Sequence, residues 1–261
     1  MKKNKILLTI LISVAPFLSF GQVGGRVGYI TILENEDFIG LESTLYFKDA
    51  ESFFFVDMKS RLENKYTGDE IQLVDESSID YQLDFTPKSP FKYQVYYNQL
   101  DKSIISQTSI FENWKTYPCV VIENSGTINW NIINEFKQIG KFNVKKATTS
   151  FRGRNYEVWF TPDIPISIGP WKFHGLPGLI LEVKDEEMGV QFLFSSIEIP
   201  YDVKEKILPP NEGKHIQIEE YASYQSNFSE EFVKTLKAKL PRGIQPEISV
   251  KKLVKSIERE Y

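Results

Sequence analysis

The chain has 261 residues, with 31 lysines and arginines against 35 aspartates and glutamates, so its formal charge at pH 7 is −4. This acidic balance argues against nucleic acid or an anionic membrane surface as the main partner, because both attract a positively charged protein. The sequence has a single cysteine, which excludes an internal disulfide.

The first 21 residues have the three parts of a cleavable secretory signal peptide. Three lysines lie within the first five residues, residues 6–18 are almost all apolar, and residues 19–21 read Ser-Phe-Gly, a small-x-small cleavage site. The apolar run is shorter than the roughly 20 residues of a spanning helix, so an uncleaved anchor is the weaker alternative. We therefore expect export to the periplasm or cell envelope.

The mature chain is predicted to begin at Gln22 and to form one β-rich domain over residues 22–261. It has 28 basic and 35 acidic side chains, a formal charge of −7. No linker of Ser, Gly and Pro divides it, and no later apolar run is long enough for a transmembrane helix. The only cysteine, Cys119, lies far from Gln22, so we expect no lipid on the mature N-terminus.

Alternating apolar and polar residues predict that most of the mature chain is β-strand. Short polar turns separate these segments, which favours an antiparallel curved sheet or half-barrel meander. The predicted strands cover residues 26–33, 41–47, 52–56, 70–74, 79–85, 91–97, 103–111, 119–122, 142–151, 156–160 and 189–199.

One or two helices are predicted at the C-terminus. Ser229 is a candidate N-cap for a helix over residues 229–240, which ends at Pro241. A second apolar stripe at helical spacing covers residues 246–261. Both stripes are expected to face the core.

Cys119 lies in an apolar run, Pro118-Cys119-Val120-Val121-Ile122. A buried thiol in such a run behaves as a small hydrophobic residue. The alternative is a nucleophile, which needs a nearby base. We expect Cys119 to be buried and unreactive.

The segment from residue 160 to residue 183 is rich in proline and glycine among apolar residues. Each proline fixes φ and removes a hydrogen-bond donor, whereas each glycine permits backbone angles that other residues avoid. The segment therefore loses little entropy on folding and is suited to hold Trp171 and Phe173 in one place. Gly178 follows Pro177 in the order of a type II turn, which predicts a positive φ at Gly178.

A motif within this segment resembles a known family. Gly175, Leu176, Pro177, Gly178, Leu179 and Ile180 spell the signature of the GLPGLI family of exported proteins from Gram-negative envelopes. The resemblance extends upstream over residues 140–174 and implies a β-rich shape similar to periplasmic lipoprotein-carrier folds. It implies no particular reaction. We expect the six motif residues to be structural.

The candidate ligand-binding residues are three aromatic and two basic side chains. Trp159, Trp171 and Phe173 are suited to line an apolar cavity, although ordinary core packing is the favoured explanation. Arg152 and Arg154 flank Gly153 in a predicted hairpin turn. They could clamp an anionic group, but the favoured interpretation is a surface turn, or an arginine paired with a nearby acid such as Glu157.

Catalytic and metal sites find little support. The two histidines, His174 and His215, have no metal-ligand spacing, so no metal or cofactor is expected. Ser167, His174 and Asp163 supply the residue types of a catalytic triad, but no G-x-S-x-G turn surrounds the serine. The acidic run at residues 185–187 is predicted to be a solvated hairpin turn.

These observations favour a non-enzymatic binding or carrier module of the envelope with an apolar concavity. Its partner would be an apolar or amphipathic small ligand, or another envelope protein. The main alternative is a structural or assembly partner of an outer-membrane complex that pairs through a strand edge. An envelope hydrolase is the third hypothesis. A small outer-membrane barrel fits least well, because charges interrupt many predicted strands.

Overall fold

A computed structural model describes residues 23–33, 40–57, 93–112, 115–203 and 206–225, together with single residues 227, 234 and 258. The signal peptide predicted over residues 1–21 and the strands predicted over 70–74 and 79–85 lie outside these ranges. The helices predicted over 229–240 and 246–261 also lie outside them, apart from Lys234, which is helical, and Glu258.

The described chain is mostly β-strand, as predicted. Its twelve strands are β1 (Gly25–Leu33), β2 (Gly40–Lys48), β3 (Glu51–Val56), β4 (Gln94–Asn98), β5 (Ser103–Glu112), β6 (Lys115–Asn124), β7 (Asn131–Ile139), β8 (Phe142–Phe151), β9 (Arg154–Thr161), β10 (Leu179–Asp185), β11 (Val190–Glu198) and β12 (Lys214–Gln217). One short helix, α1 (218–225), follows β12.

All twelve strands belong to one open sheet in the order β12-β6-β5-β4-β3-β2-β1-β11-β10-β9-β8-β7. Neighbours are antiparallel except β12, which runs parallel to β6. Most neighbours in the sheet are also neighbours in sequence, as the meander prediction requires. There are two exceptions: β12 pairs with β6, and β1 pairs with β11 and so joins the two halves of the chain.

Burial alternates along the strands because successive side chains point to opposite faces. In β1, Val27, Tyr29 and Leu33 are buried apolar residues of the core, and Thr31 lies between them. The sequence alternation predicted this arrangement. Within the described chain, no helix is long and apolar enough to cross a membrane.

The sheet curves around its own buried face. Seven strand-to-strand steps separate β4 from β8, which would place them roughly 34 Å apart in a flat sheet. However, Tyr97 of β4 lies 4.8 Å from the ring of His174, and Phe151 of β8 lies 5.7 Å from the ring of Phe173. Because residues 173 and 174 are adjacent, both halves of the sheet must bend towards the same segment.

Three strands and the helix were not predicted. β7 shows no alternation, since both of its faces are largely exposed. β10 begins within the glycine- and proline-rich motif, whose composition conceals a strand. β12 has only four residues. The helix α1 packs Ile218 and Tyr221 against the second, smaller apolar cluster, which contains Cys119 and Val121.

Candidate functional site

The segment between β9 and β10, residues 162–178, lies against the concave face and is here named the plug segment. Three of its backbone N–H groups donate to the carbonyl two residues earlier: Ile166 to Ile164, Ile168 to Ile166, and Gly178 to Leu176, at 2.8–3.0 Å. This is the pattern of γ-turns, whose central φ suits proline. The prolines therefore help to fix the path of the plug segment.

At Gly178 of the motif, the lack of a side chain matters, not a positive φ. Gly175, not Gly178, has the left-handed backbone, with φ of 94°. The predicted type II turn at Pro177-Gly178 is therefore wrong, because Pro177 is the centre of a γ-turn instead. A Cβ atom on Gly178 would lie 2.2 Å from the carbonyl oxygen of Thr161. Gly178 is thus required by the close approach of β9.

Gly178→Ala is expected to lower the free energy of unfolding by at least 1–3 kcal/mol, roughly the cost of overpacking a tight core. Gly126→Ala is the matched control, since a Cβ there meets nothing within 4 Å and only its φ of 63° is unfavourable. That control should cost about 1 kcal/mol. Chemical denaturation of both variants measures the difference. Equal losses would contradict a steric role for Gly178.

The structure brings two of the three candidate aromatic residues together. Trp171 and Phe173 lie 5.2 Å apart, edge to face, and both are buried in the main core. Phe173 also packs 4.9 Å from Tyr156 of β9. Trp159 is three residues beyond Tyr156 on β9 and faces the opposite side of the sheet, with Lys137 4.3 Å over its ring. The predicted aromatic cluster is therefore divided between the two faces.

On the face of the sheet opposite the plug segment, Trp159 lies beside the carboxylate of Glu157. Its indole nitrogen donates to Glu157 at 2.8 Å, and Lys146 pairs with the same carboxylate at 2.8 Å. Burial alone would raise the pKa of Glu157, but these hydrogen bonds lower it below its usual value. Glu157 therefore pairs with Lys146, and neither candidate arginine uses it.

Arg152 belongs to a buried network of charges around the plug segment. Glu123, at the end of β6, forms ion pairs with both Arg152 and Lys172. Lys172 also pairs with Glu258, whose carboxylate lies 2.5 Å from the lysine nitrogen. The side chains of Lys172 and Glu123 are 3% and 1% exposed, so these charges are almost entirely shielded from water. The network ties β6, the β8–β9 turn, the plug segment and Glu258 together.

Arg154 lies in strand β9 and is buried, so the surface turn does not apply to it, and it pairs with an acid other than Glu157. Its guanidinium pairs with Asp185, and the two side chains are 1% and 2% exposed. Asp185 also accepts a hydrogen bond from the backbone N–H of Val190 at 3.1 Å. Asp185 therefore closes the β10–β11 hairpin from inside, and the prediction of a fully solvated acidic turn is wrong for this residue.

Among the described residues, the concave face has one small, partly open cavity beside the plug segment. Side chains of β4, β5, α1 and the plug segment, including Trp171 and Lys172, line about 60 Å³. Pockets that bind drug-sized ligands are about 300–1,000 Å³. The cavity has room for a few water molecules, but not for a lipid chain.

The three residue types of the hypothetical triad do not form one. Ser167 accepts a hydrogen bond from the backbone N–H of Gly175 at 3.1 Å, and Nδ1 of His174 lies 2.9 Å from the carbonyl oxygen of Lys172. Asp163 is exposed. No hydrogen bond joins Ser167, His174 and Asp163 to one another in the described chain, and its residues include no metal-binding cluster of three His, Cys, Asp or Glu.

Cys119 is fully buried, as predicted. Burial raises the pKa of its thiol to about 11. The reactive thiolate is therefore nearly absent at neutral pH.

A thiol reagent is accordingly expected to label Cys119 only after denaturation. Leu100→Cys, at a position that is 84% exposed, supplies a control thiol in the same chain that should react at once. Labelling is followed by mass. Fast reaction of native Cys119 would show that the thiol is accessible and would favour the nucleophile hypothesis.

The outer edge of β7 is a second candidate site. β7 is the last strand of the sheet, and the described chain places no strand beyond it. Phe136 and Ile132 are 65% and 44% exposed there, among the largest exposed apolar side chains of the described residues. An exposed strand edge presents unpaired N–H and C=O groups to another chain. Such an edge is a template for β-augmentation.

The sequence signals for these sites were incomplete. No local pattern in the sequence indicated Glu123 or Lys172, because an ion pair between residues 49 positions apart depends on the fold. β7 could have been found as a run rich in branched and aromatic residues, 131–139, with the glycine of a tight turn directly after it.

A family model described as "Protein of unknown function (Porph_ging)" matches residues 152–182. The match contains the β8–β9 turn, β9, the plug segment and the start of β10, and it includes the motif at residues 175–180. The match covers a small part of the chain and is a similarity to that family. No curated protein matches the chain.

Two solved structures have a similar fold, described as the structure of PNGF-II in the P21 and in the C2 space group. Each has 15% sequence identity with this chain and a TM-score of 0.51. Each alignment covers 77% of this chain, but only 33% and 32% of the solved chains. This chain thus spans about a third of the length of the proteins that it resembles, and the likeness concerns the fold.

Proposed function

We propose that this chain is an exported, non-enzymatic interaction module of the cell envelope that binds another protein through the outer edge of β7. The proposal depends on two observations of the described residues: the plug segment packs against the concave face, and no described strand pairs with the outer edge of β7. Trp171 and Phe173 occupy the concavity where an apolar ligand would bind. The edge of β7 offers exposed apolar side chains instead.

The carrier hypothesis is weakened by the same geometry. A lipid carrier needs a large cavity, whereas the cavity that the described residues form beside Trp171 and Lys172 has about 60 Å³. Emptying the concavity would require the plug segment to leave, and with it the buried pair of Lys172 and Glu123. Separating such a pair leaves uncompensated charges in an apolar interior. A polypeptide bound at the edge requires no such rearrangement.

Export and family membership form part of the proposal. The sequence of residues 1–21 supports secretion. The GLPGLI signature and the Porph_ging match overlap on residues 175–180, which supports treating the two descriptions as one family. In this interpretation the motif is structural and fixes the end of the plug segment, whereas the interaction surface lies on β7.

A photo-crosslinking residue placed at position 136 of the full chain in its native cells tests the proposal. Because Phe136 lies on the edge strand and is 65% exposed, irradiation is expected to give a discrete adduct with one polypeptide. Matched probes at Leu100 and Leu208, which are 84% and 62% exposed but lie outside the strands, should give none. Equal adducts at all three positions, or no adduct at position 136, would contradict binding at this edge.

A further inference from the structure

The partner that best fits the edge of β7 is a second copy of the same strand. We infer that two copies pair antiparallel through β7 about a two-fold axis at Phe136. The inference rests on the proposed function, since it names the partner for that same edge. A two-fold interface pairs residue i with residue j and residue j with residue i, so a strand that pairs with itself must be self-complementary.

The charges of β7 meet this requirement in one register. When Phe136 lies opposite its own copy, Glu135 lies opposite Lys137, and symmetry makes this pair twice. The same register places Asn134 opposite Gln138 and Ile133 opposite Ile139. Each position therefore meets a residue of similar or complementary chemistry, and opposite charges across a strand pair are stabilising.

Neighbouring registers lose this match. Centring the axis on Glu135 places two carboxylates opposite each other, and centring it on Lys137 does the same for two ammonium groups. Like charges directly opposite are destabilising. Glu135 and Lys137 face each other only when Phe136 is on the axis. The charge pattern thus specifies both the orientation and the register.

The irregular part of β7 includes Glu135, so the pairing requires residues 133–135 to lie extended against the partner strand. Between Ile132 and Phe136 the register with β8 shifts, and it resumes at Phe136 opposite Lys145. In the two-fold arrangement, the irregular residues 133–135 of one copy lie opposite the regular residues 137–139 of the other. Bulges and charges are also devices that protect an edge from pairing, so the test must distinguish a protected edge from a self-pairing one.

The contacts of Glu135 and Lys137 within one chain allow pairing between copies to be distinguished from ion pairs within the monomer. Within one chain, Glu135 lies 3.2 Å from Lys146, and Lys137 lies 2.9 Å from Glu182. Exchanging the two charges in the variant Glu135→Lys/Lys137→Glu disfavours both internal contacts. The same exchange restores the pairing between copies. A recovery of dimerisation in the double variant therefore cannot arise from the monomer's own ion pairs.

Sedimentation velocity of the mature chain, residues 22–261, over a wide concentration range tests the inference. We expect a reversible dimer, weakened about tenfold or more by Glu135→Lys or Lys137→Glu alone, because each change places like charges opposite each other twice. The double variant should return to near the original dimerisation constant. Circular dichroism checks that every variant is folded. A monomer at all concentrations, or a dimer whose dissociation constant is unchanged by the single substitutions, would overturn the inference.

A disulfide trap checks the register independently. Cα atoms directly opposite in antiparallel strands are about 4.5–5.5 Å apart, which a disulfide can bridge. Phe136→Cys should therefore form a disulfide-linked dimer under mild oxidation. Gln138→Cys is the control, because position 138 faces position 134 and should not link to itself. Native Cys119 is buried and does not compete. Linkage at 138 but not at 136 would exclude the proposed register.

The two proposals fail in different ways. If the purified chain is monomeric while the probe at position 136 crosslinks to a different polypeptide in cells, self-pairing is wrong and edge binding stands. If the probe gives no adduct and the chain is monomeric, both are wrong.

Discussion

Phe173→Ala is expected to lower the free energy of unfolding by about 3–5 kcal/mol, the range for removing a buried phenylalanine. The side chain is 2% exposed and lies at the centre of the concave face. Its ring packs 4.9 Å from Tyr156, 5.2 Å from Trp171 and 5.7 Å from Phe151. Truncation would leave a cavity where the plug segment meets the sheet, since rigid aromatic neighbours on several elements cannot all move into the space.

The loss should appear in thermal unfolding as a fall in Tm of roughly 6–20 °C for a domain of this size. Leu100→Ala is the control for an exposed apolar side chain, and it should change stability by no more than about 0.5 kcal/mol. A small effect of Phe173→Ala would mean that the plug segment is not part of the stable core. The concavity would then be open to a ligand, and the carrier hypothesis would regain support.

Lys172→Met is expected to cost about 3–5 kcal/mol, because removing one partner of a buried ion pair leaves the other charge uncompensated. Glu123 would retain only Arg152, and Glu258 would lose its 2.5 Å contact with the lysine nitrogen. Methionine preserves most of the volume of the lysine stem, so the loss reports on charge more than on packing. Urea denaturation at neutral pH measures it.

A surface pair provides the control for this charge effect. Arg26 and Glu198 lie 3.1 Å apart, but their side chains are 44% and 53% exposed. Arg26→Met should therefore cost at most about 1 kcal/mol. Without Lys172, the network holds the two carboxylates of Glu123 and Glu258 against the single cation of Arg152. Adding Glu123→Gln to Lys172→Met should therefore recover part of the larger loss, since it removes the excess negative charge. If the double variant is as unstable as the sum of the single variants, Lys172 and Glu123 are not energetically coupled.

The sequence predicted the fold where strands have one buried and one exposed face. β1 alternates clearly, and β8 was predicted with the bounds that it has, Phe142–Phe151. β7 was missed because an edge strand exposed on both faces has no period-two signal. The segment over residues 160–183 was recognised as rigid, but the strand at its end was missed: β10 begins at Leu179, and Leu179 and Ile180 pair with β9.

The site was less predictable than the fold, because its contacts join distant parts of the chain. Arg154 was expected in a turn, yet its partner Asp185 lies 31 residues later and both are buried. Trp159 and Phe173 were grouped because both are aromatic and lie close in sequence. The alternation of side chains along β9 places Trp159 on the face of the sheet opposite Phe173. Pairings of this kind depend on strand order, which no local pattern specifies.

Native mass spectrometry of the protein, isolated gently from the cells that produce it, tests the central claim most directly. Our account predicts that the protein binds a polypeptide at the edge of β7 and no apolar ligand in its concavity. The spectrum should therefore contain the chain alone and the chain bound to a second polypeptide. The second species should disappear in Phe136→Asp, and no species should have a lipid-sized adduct. A lipid-sized adduct that is retained in Phe136→Asp and lost in Phe173→Ala would contradict the account.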